Sequence, residues 1–144
     1  MIDESTVLGA RVLERLREDR VCWMTTVDRG TPQPAPVWFL YERTDAGERI
    51  IVYSKTTARR NANVMSNAKV AFNFNCTPGG SEVHVIRGSA RVALEIPQAS
   101  ENAAYLARYR DWIEEEMDWG GTFEGFAAQY SIPIEITDLA IWGW

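Results

Sequence analysis

The stretch VCWMTTVDRGTPQPAPVWFLYE, residues 21–42, decides the fold class of this chain. It opens with the apolar run VCWMTTV, which is rich in strand-forming residues, and DRGT at 28–31 has the composition of a hairpin turn. PVWFLYE at 36–42 then predicts a second strand. Strands joined by so short a turn pair in the antiparallel direction, because a parallel pair needs a long crossover.

Further strands follow this hairpin along the chain. The turn-like RTDAGE at 43–48 leads into the next apolar run, and CTPGGS at 76–81 breaks the chain again. Between them, KVAFNFN alternates strictly, with Val70, Phe72 and Phe74 on one face. The remaining predicted strands are, in chain order, RIIVYS (49–54), KVAFNFN (69–75), EVHVIRG (82–88), SARVALEI (89–96, alternating through Ala90, Val92, Leu94 and Ile96), IPIEIT (132–137) and LAIWGW (139–144).

Helical periodicity is confined to a few segments. Ser5 is predicted to cap a first helix, Pro97 suits the first turn of a long helix, and FEGFAAQY at 123–130 predicts a short one. The apolar faces of the first two are Leu8, Val12, Leu13 and Leu16, and Tyr105, Tyr109, Trp112 and Met117. Such few and unevenly placed helices do not make repeated βαβ units. We therefore predict a mainly β chain with peripheral helices (α+β), an antiparallel barrel formed by one domain over residues 1–144.

Composition narrows the classes of function. The 144 residues are 46% hydrophobic and 24% charged, as in globular proteins. With 15 basic and 20 acidic residues the formal net charge is −5, which argues against nucleic acid as a partner. Cys22 and Cys76 lack CxxC spacing and are expected to be reduced core thiols. No signal peptide or membrane span is recognisable, so we expect a soluble cytoplasmic protein with no membrane partner.

A basic segment, SKTTARRNANV at 54–64, stands out in this acidic chain. A helix that begins near Thr57 or Ala58 carries Arg59 and Arg60 in its first turn, where cations oppose the helix dipole. A bound phosphate explains them, because a helix N-terminus with guanidinium groups and hydroxyls makes an anion site. The alternative is a solvated helix start whose charges pair with surface carboxylates. The segment alone leaves both interpretations open.

The order of these motifs resembles the flavin and deazaflavin split-barrel family related to pyridoxamine 5′-phosphate oxidase. In that family, a strand with the pattern T-x-x-x-G-x-P-x-x-x-P-V-W precedes a strand that ends in Ser or Thr and a helix with a basic pair and Asn. The resemblance covers about residues 20–96, and LAIWGW looks like the ending of an actinobacterial deazaflavin branch. The matching residues are Thr26, Gly30, Pro32, Pro36, Val37, Trp38, Ser54, Arg59, Arg60 and Asn63.

The resemblance implies a split β-barrel homodimer that binds two cofactors in grooves between its subunits. The basic helix start would hold the cofactor phosphate, and the strand at 36–38 would lie along the tricyclic ring. Trp38 has an alternative, because a tryptophan in a strand is more often a core residue. The residues with an implied cofactor-binding role are Pro36, Val37, Trp38, Ser54, Lys55, Thr56, Thr57, Arg59, Arg60 and Asn63.

Within this family, the chain resembles the branch that uses coenzyme F420, a deazaflavin. Enzymes that oxidise pyridoxamine phosphate grip their substrate with an Arg and His pair near the C-terminus, and this chain has neither residue after Arg110. PQPAPVWFLY and WGW instead look like the F420-dependent branch. The implied activity is hydride transfer between reduced cofactor and a small electron-poor organic substrate, with no residue identifiable as catalytic. FMN in place of F420, and a cofactor carrier without turnover, remain open alternatives.

Other chemistries find little support in the residues. His84 is the only histidine, so a histidine metal cluster or a Ser–His–Asp triad is not expected. EEEMD at 114–118 is best interpreted as a solvated acidic helix face, and we predict no metal site. TPGGS at 77–81 lacks the spacing of a phosphate loop and is interpreted as a hairpin turn. Trp142 and Trp144 lie on one strand face, where they would cover a flat ring or cap the barrel.

The aromatic content also bears on assembly. The chain has 6 tryptophans, 5 tyrosines and 5 phenylalanines, more than one small core needs. A single split barrel also leaves apolar strand faces uncovered. We therefore expect a homodimer.

Overall fold

The structure is a computed structural model that describes residues 1–117 and 119–144. Asp118, the last residue of the predicted acidic face, lies outside the described residues. The helices are α1 (Val7–Glu18), α2 (Arg59–Ser66), α3 (Ala103–Asp111) and α4 (Phe123–Gln129), with a 3₁₀ turn at Ala99–Glu101 and a π-helical turn at Trp112–Glu116. The strands are β1 (Val21–Asp28), β2 (Thr31–Trp38), β3 (Leu40–Thr44), β4 (Gly47–Ser54), β5 (Lys69–Asn73), β6 (His84–Val92) and β7 (Ile132–Gly143).

The strands form a seven-stranded sheet in the order β2-β1-β5-β6-β7-β4-β3. Every neighbouring pair is antiparallel, as the short turns of the sequence predict. The two edge strands, β2 and β3, follow each other in the chain and are separated only by Phe39. The predicted mainly β architecture, a split antiparallel barrel with peripheral helices, is confirmed.

The second strand differs from its prediction. We predicted it at 36–42, but β2 begins at Thr31, ends at Trp38 and contains Pro32, Pro34 and Pro36. Proline has no N–H to donate to a neighbouring strand, so three prolines argue against a central strand of a sheet. At the edge of the sheet, β2 tolerates them because only one of its sides is paired.

Two strand boundaries were also wrong. The predicted strands at 132–137 and 139–144 are one strand, β7, whose chain continues through Asp138 with a positive φ of 54°. Opposite it, β6 runs through the predicted break at residue 88, and its register with β7 shifts between Arg87 and Ser89. A β-bulge interrupts the alternating pattern of a continuous strand, which explains why the sequence predicted two separate strands here. Because β6 ends at Val92, Leu94 is exposed and does not share the predicted apolar face.

Side chains pack into two apolar clusters on opposite faces of β4. Ile50 and Val52 belong to the cluster beneath α1, whereas Ile51 and Tyr53 belong to the cluster beneath α3 and α4. Both faces of this strand are therefore buried, which explains the uninterrupted apolar run before Ser54. The predicted inner residues of the first helix and of the strand predicted at 69–75 join the first cluster, with Leu8 only partly buried; they are Leu8, Val12, Leu13, Leu16, Val70, Phe72 and Phe74.

Local chemistry moves two predicted helix starts. Thr6, and not Ser5, caps α1, since its Oγ1 accepts a hydrogen bond from the Gly9 amide at 3.0 Å. The long helix predicted from Pro97 begins only at Ala103, because the Asn102 side chain caps α3 by accepting from the Tyr105 amide at 3.2 Å. The π-helical turn then ends the regular helix.

Two predicted core positions are also corrected. Tyr105 and Tyr109 are buried as predicted, and Trp112 is partly buried and packs against the cluster beneath α3 and α4, but Met117 is exposed. The π-helical turn at 112–116 changes the helical period, so residues beyond it no longer follow the inner face. Cys22 is buried as expected, whereas Cys76 lies exposed in the β5–β6 connection and is not a core thiol.

His84 gives the fold a testable pH dependence. Its side chain is 3% exposed, and neither ring nitrogen has a hydrogen-bond partner among the described residues. Burial, with Arg15 and Arg11 nearby, lowers the pKa of His84 below its ordinary 6.5. The unfolded chain therefore takes up a proton at a higher pH than the folded chain does. The stabilisation is complete above the ordinary pKa and is lost as the pH falls below it.

We expect the free energy of unfolding, measured in urea, to fall between about pH 7.5 and about pH 5.5. His84→Phe removes the titrating group and should flatten this part of the profile. A wild-type profile as flat as that of the variant would contradict the assignment.

Candidate functional site

The predicted ring-binding strand and part of the predicted phosphate site meet at one cavity. The end of β2 contributes Pro36, Val37 and Trp38, and the first turn of α2 contributes Arg60. The cavity has a volume of about 210 Å³ and is lined by apolar and aromatic side chains with no carboxylate. The other lining residues are Val21, Tyr53, Tyr105, Phe126 and Tyr130.

The two adjacent arginines of the basic segment have different environments. Arg59 donates from Nη1 to Asp28 Oδ2 at 2.9 Å, and its side chain is 69% exposed. Arg60 is half-buried at the cavity and has no ion pair or hydrogen bond within residues 1–117 and 119–144. Burial lowers the pKa of Arg60, because the cation is partly removed from water without a carboxylate beside it. A ligand anion in the cavity would supply this missing partner.

The segment between β4 and α2 holds the other predicted phosphate ligands. Ser54 is 1% exposed, and its Oγ has no hydrogen-bond partner in the described structure. Lys55 is exposed, and its Nζ lies 5.2 Å from the ring centroid of Tyr130, a residue of the cavity wall. Thr56 and Thr57 are exposed. Lys55 therefore stands beside the same cavity as Arg60 and adds a second positive charge to its edge.

The start of α2 is close to its prediction. The helix was expected to begin near Thr57 or Ala58 and begins at Arg59, with Ala58 as its N-cap. Alanine has no side-chain group that can bind the free amides of the first turn, and no side-chain capping bond is present. The Asn61 amide donates to the Ala58 carbonyl at 3.2 Å, whereas the Arg59 and Arg60 amides make no such bond in the described structure and stay available to an anion.

Asn63 has a structural partner. It is buried, and its Nδ2 donates to Thr26 Oγ1 at 3.0 Å, which ties α2 to β1. It does not line the cavity. Its predicted cofactor contact stays a prediction, and the contact with Thr26 accounts for an asparagine at this position.

Trp38 has both of the roles considered for it, as a core aromatic residue and as a wall of the predicted ring-binding site. Its ring lies 4.9 Å from that of Phe126 and 5.2 Å from that of Trp112, measured between centroids, as expected for a core aromatic. The side chain is only partly buried, and it lines the cavity. These neighbouring rings hold the indole in place, and its exposed part forms a wall of the cavity.

Four aromatic lining residues were missed as site residues. Tyr53 comes from β4, Tyr105 from α3, and Phe126 and Tyr130 from α4 and its C-terminal end. Helical periodicity predicts that Tyr105 is buried but does not say which strand it faces. Tyr130 ends the FEGFAAQY segment, and nothing in that segment indicates that its side chain comes within reach of Lys55.

The described part of the chain also bears on metal and membrane binding. No group of three or more His, Cys, Asp or Glu side chains is arranged to hold a metal ion there. Among the same residues, no helix is both long and apolar enough to cross a bilayer. The turn predicted at 77–81 is present, with the Ser81 amide donating to Thr77 Oγ1 at 2.9 Å.

Comparison with known proteins supports the fold. A search of curated proteins found no match. Among solved structures, a Listeria innocua protein named after pyridoxamine 5′-phosphate oxidase is 18% identical, with a TM-score of 0.60 over 94% of this chain and 98% of its own. HutZ, the heme storage protein from Vibrio cholerae, is 12% identical, with a TM-score of 0.58 over 96% and 95%. An FAD-binding protein from Mesorhizobium loti is 15% identical, with a TM-score of 0.54 over 92% and 89%.

These identities establish likeness of fold alone, and the sequence itself supplies the family. The model of the pyridoxamine 5′-phosphate oxidase family matches residues 8–131, which include both motifs around the cavity. This chain belongs to the pyridoxamine 5′-phosphate oxidase family, a flavin-binding family of the oxidoreductase type.

Proposed function

We propose that this protein is a cytoplasmic F420-dependent oxidoreductase that transfers a hydride between reduced cofactor and a small electron-poor organic substrate. One observation carries the proposal: the guanidinium of Arg60 lies half-buried, without a carboxylate partner in the described structure, at an aromatic cavity. A protein interior rarely leaves such a cation without an anion. A flat cofactor with a phosphate provides both the anion and the ring.

The residues at the cavity fit such a cofactor. Arg60 and Lys55 supply positive charge, and the buried Ser54 Oγ is a polar atom whose hydrogen bond is not made within the described chain. Pro36 and Trp38 give an apolar wall from an edge strand. Thr57 and Arg59 lie at the helix start and complete the proposed phosphate site. Arg59 is already paired with Asp28, so a phosphate there would share the guanidinium with that carboxylate.

The chain's own part in the reaction is binding and orientation. When bound, the reduced cofactor supplies the hydride. The aromatic wall excludes water, and the cationic edge fixes the phosphate end so that the ring keeps one orientation. Holding donor and acceptor in near-attack geometry lowers a barrier by roughly 7–11 kcal/mol without a side-chain acid. Solvent can return the proton, so a cavity without a carboxylate or histidine in its wall is compatible with catalysis.

The identity of the cofactor is the finer part of the proposal. Membership of a flavin-binding family supports FMN as the alternative. The segments PQPAPVWFLY and WGW, by their resemblance to the deazaflavin branch, favour F420. A carrier that binds the same cofactor without turnover needs the same contacts, so the cavity does not distinguish it from an enzyme.

Absorbance spectroscopy of the purified protein tests the cofactor. We expect saturable binding of F420 in a titration, and weaker binding of FMN. Tight binding of FMN with no response to F420 would leave the oxidoreductase proposal in place with the other cofactor. Binding of neither would overturn the proposed function, and binding without oxidation of reduced cofactor by enones or quinones would favour the carrier.

We also propose that the protein acts as a homodimer. Register across the sheet aligns Trp23, Asn73, Val85 and Trp142 in one row on the outer face of β1, β5, β6 and β7. Trp142 and Trp144 are 52% and 60% exposed, and their rings contact each other edge to face at 5.3 Å. A surface with so many exposed aromatics supports a protein partner, and a second copy of this chain brings the same surface.

A further inference from the structure

The connection between β2 and β3 is a buried corner of one residue. Phe39 stands between the two edge strands, is fully buried, and belongs to neither ladder. Its amide and carbonyl therefore lack strand partners. A buried backbone group without a partner is costly, so something else must bind this peptide.

The Tyr109 side chain provides that partner. The Phe39 amide donates to Tyr109 Oη at 2.9 Å, and the same hydroxyl donates to the Phe39 carbonyl at 2.6 Å. The Arg20 carbonyl lies 3.0 Å from the hydroxyl, which has only one proton to give and so serves one carbonyl at a time. A single phenol on α3 thus takes the place of a neighbouring strand for Phe39.

The same residue also contacts the cavity walls. The rings of Tyr109 and Trp38 are nearly parallel, at 23°, with centroids 6.1 Å apart. One helical turn earlier on α3, Tyr105 lines the cavity, and its ring lies 4.5 Å from that of Tyr109. The β2 wall and the α3 wall of the cavity therefore both rest against Tyr109.

We infer that Tyr109 is a positioning residue for the cofactor ring, a role that rests on the proposed function. It does not line the cavity itself. Its hydroxyl fixes the Phe39 peptide and so fixes the end of β2, where Pro36 to Trp38 face the ligand. Without the hydroxyl, the corner has to find other partners, and the three residues before it shift relative to α3.

The test compares two tyrosine hydroxyls. Tyr109→Phe should weaken binding of the cofactor that the wild type binds, F420 or FMN, by roughly tenfold, because the peptide of Phe39 loses both bonds. Tyr41→Phe is the control. Tyr41 lies on β3, beyond the corner, and does not line the cavity; its hydroxyl donates to Glu48 Oε2 at 2.7 Å, so this variant also removes a hydrogen-bonded hydroxyl. It should change the dissociation constant less than twofold. Urea unfolding of both variants separates lost stability from lost affinity.

A second measurement needs no variant and serves if Tyr109→Phe does not fold. Hydrogen exchange at the Phe39 amide of the wild type should slow when the cofactor is added, because binding and the corner are coupled. Equal affinity of Tyr109→Phe and wild type, or exchange at Phe39 that is the same with and without saturating cofactor, would overturn the inference. Wild-type protein that binds neither cofactor would instead remove the proposed function and this inference with it.

Discussion

Replacing Arg60 by alanine is expected to weaken cofactor binding by about 1.5–3 kcal/mol, the scale of a hydrogen bond to a charged group. The guanidinium of Arg60 is half-buried at the cavity and has no carboxylate partner in the described residues. All of its N–H donors are therefore available to a cofactor phosphate. Titration of wild type and variant with F420 and with FMN, followed by absorbance, measures the loss. Arg60→Lys should recover only part of it, because an ammonium cannot form the bidentate pair.

Arg59→Ala provides the matched comparison on the neighbouring residue. Its guanidinium is already bound to Asp28 and is largely exposed, so its removal should cost less affinity than the loss of Arg60. Folding stability offers a second check: Arg60→Ala should not lower the free energy of unfolding, because it removes a partly buried cation that has no carboxylate beside it in the described chain. Equal affinity of Arg60→Ala and wild type would return the basic segment to its alternative, a solvated helix start.

The contrast between these two arginines marks what the sequence can predict about the site. Composition and position place both at the start of a helix after a buried strand, and the structure confirms that placement. Which of them turns toward the cavity depends on the helix rotation and on where Asp28 lies at the end of β1. That carboxylate is 31 residues away along the chain, so no local pattern indicates the pair.

The strands show the same division between local and non-local information. Alternation in KVAFNFN and the apolar run before Ser54 predict β5 and β4 well, because the signal is contained in the segment itself. β2 was missed in part because its prolines are acceptable only at an edge, and edge position is a property of the whole sheet. The aromatic wall of the cavity is likewise assembled from four separate elements, β2, β4, α3 and α4.

The second large effect is expected at the proposed subunit interface. Trp142→Glu should convert the protein from a dimer to a monomer near 16.3 kDa, as measured by light scattering at micromolar concentration. Each buried large apolar side chain contributes about 1.5–3 kcal/mol, and two-fold symmetry places every substitution twice in the interface. The glutamates would also bring two carboxylates into an aromatic surface, where an unpaired charge is costly. Together these terms predict a loss of at least roughly a hundredfold in the association constant.

Leu94→Glu is the control for this last prediction. Leu94 is also a large apolar residue, 69% exposed, but it lies outside the row formed by Trp23, Asn73, Val85 and Trp142. The variant should leave the dimer intact, which would tie the loss in Trp142→Glu to the row and not to surface charge in general.

The row also reaches the cavity, because Trp23 pairs with Pro36, and Pro36 lines the cavity. If the cofactor groove lies between subunits, Trp142→Glu should weaken cofactor binding as well, although Trp142 does not line the cavity of its own chain. This surface is ruled out as the interface if the wild type is monomeric or if the Trp142→Glu variant stays dimeric. If the variant is monomeric and its cofactor affinity is unchanged, the whole cofactor site lies within one subunit.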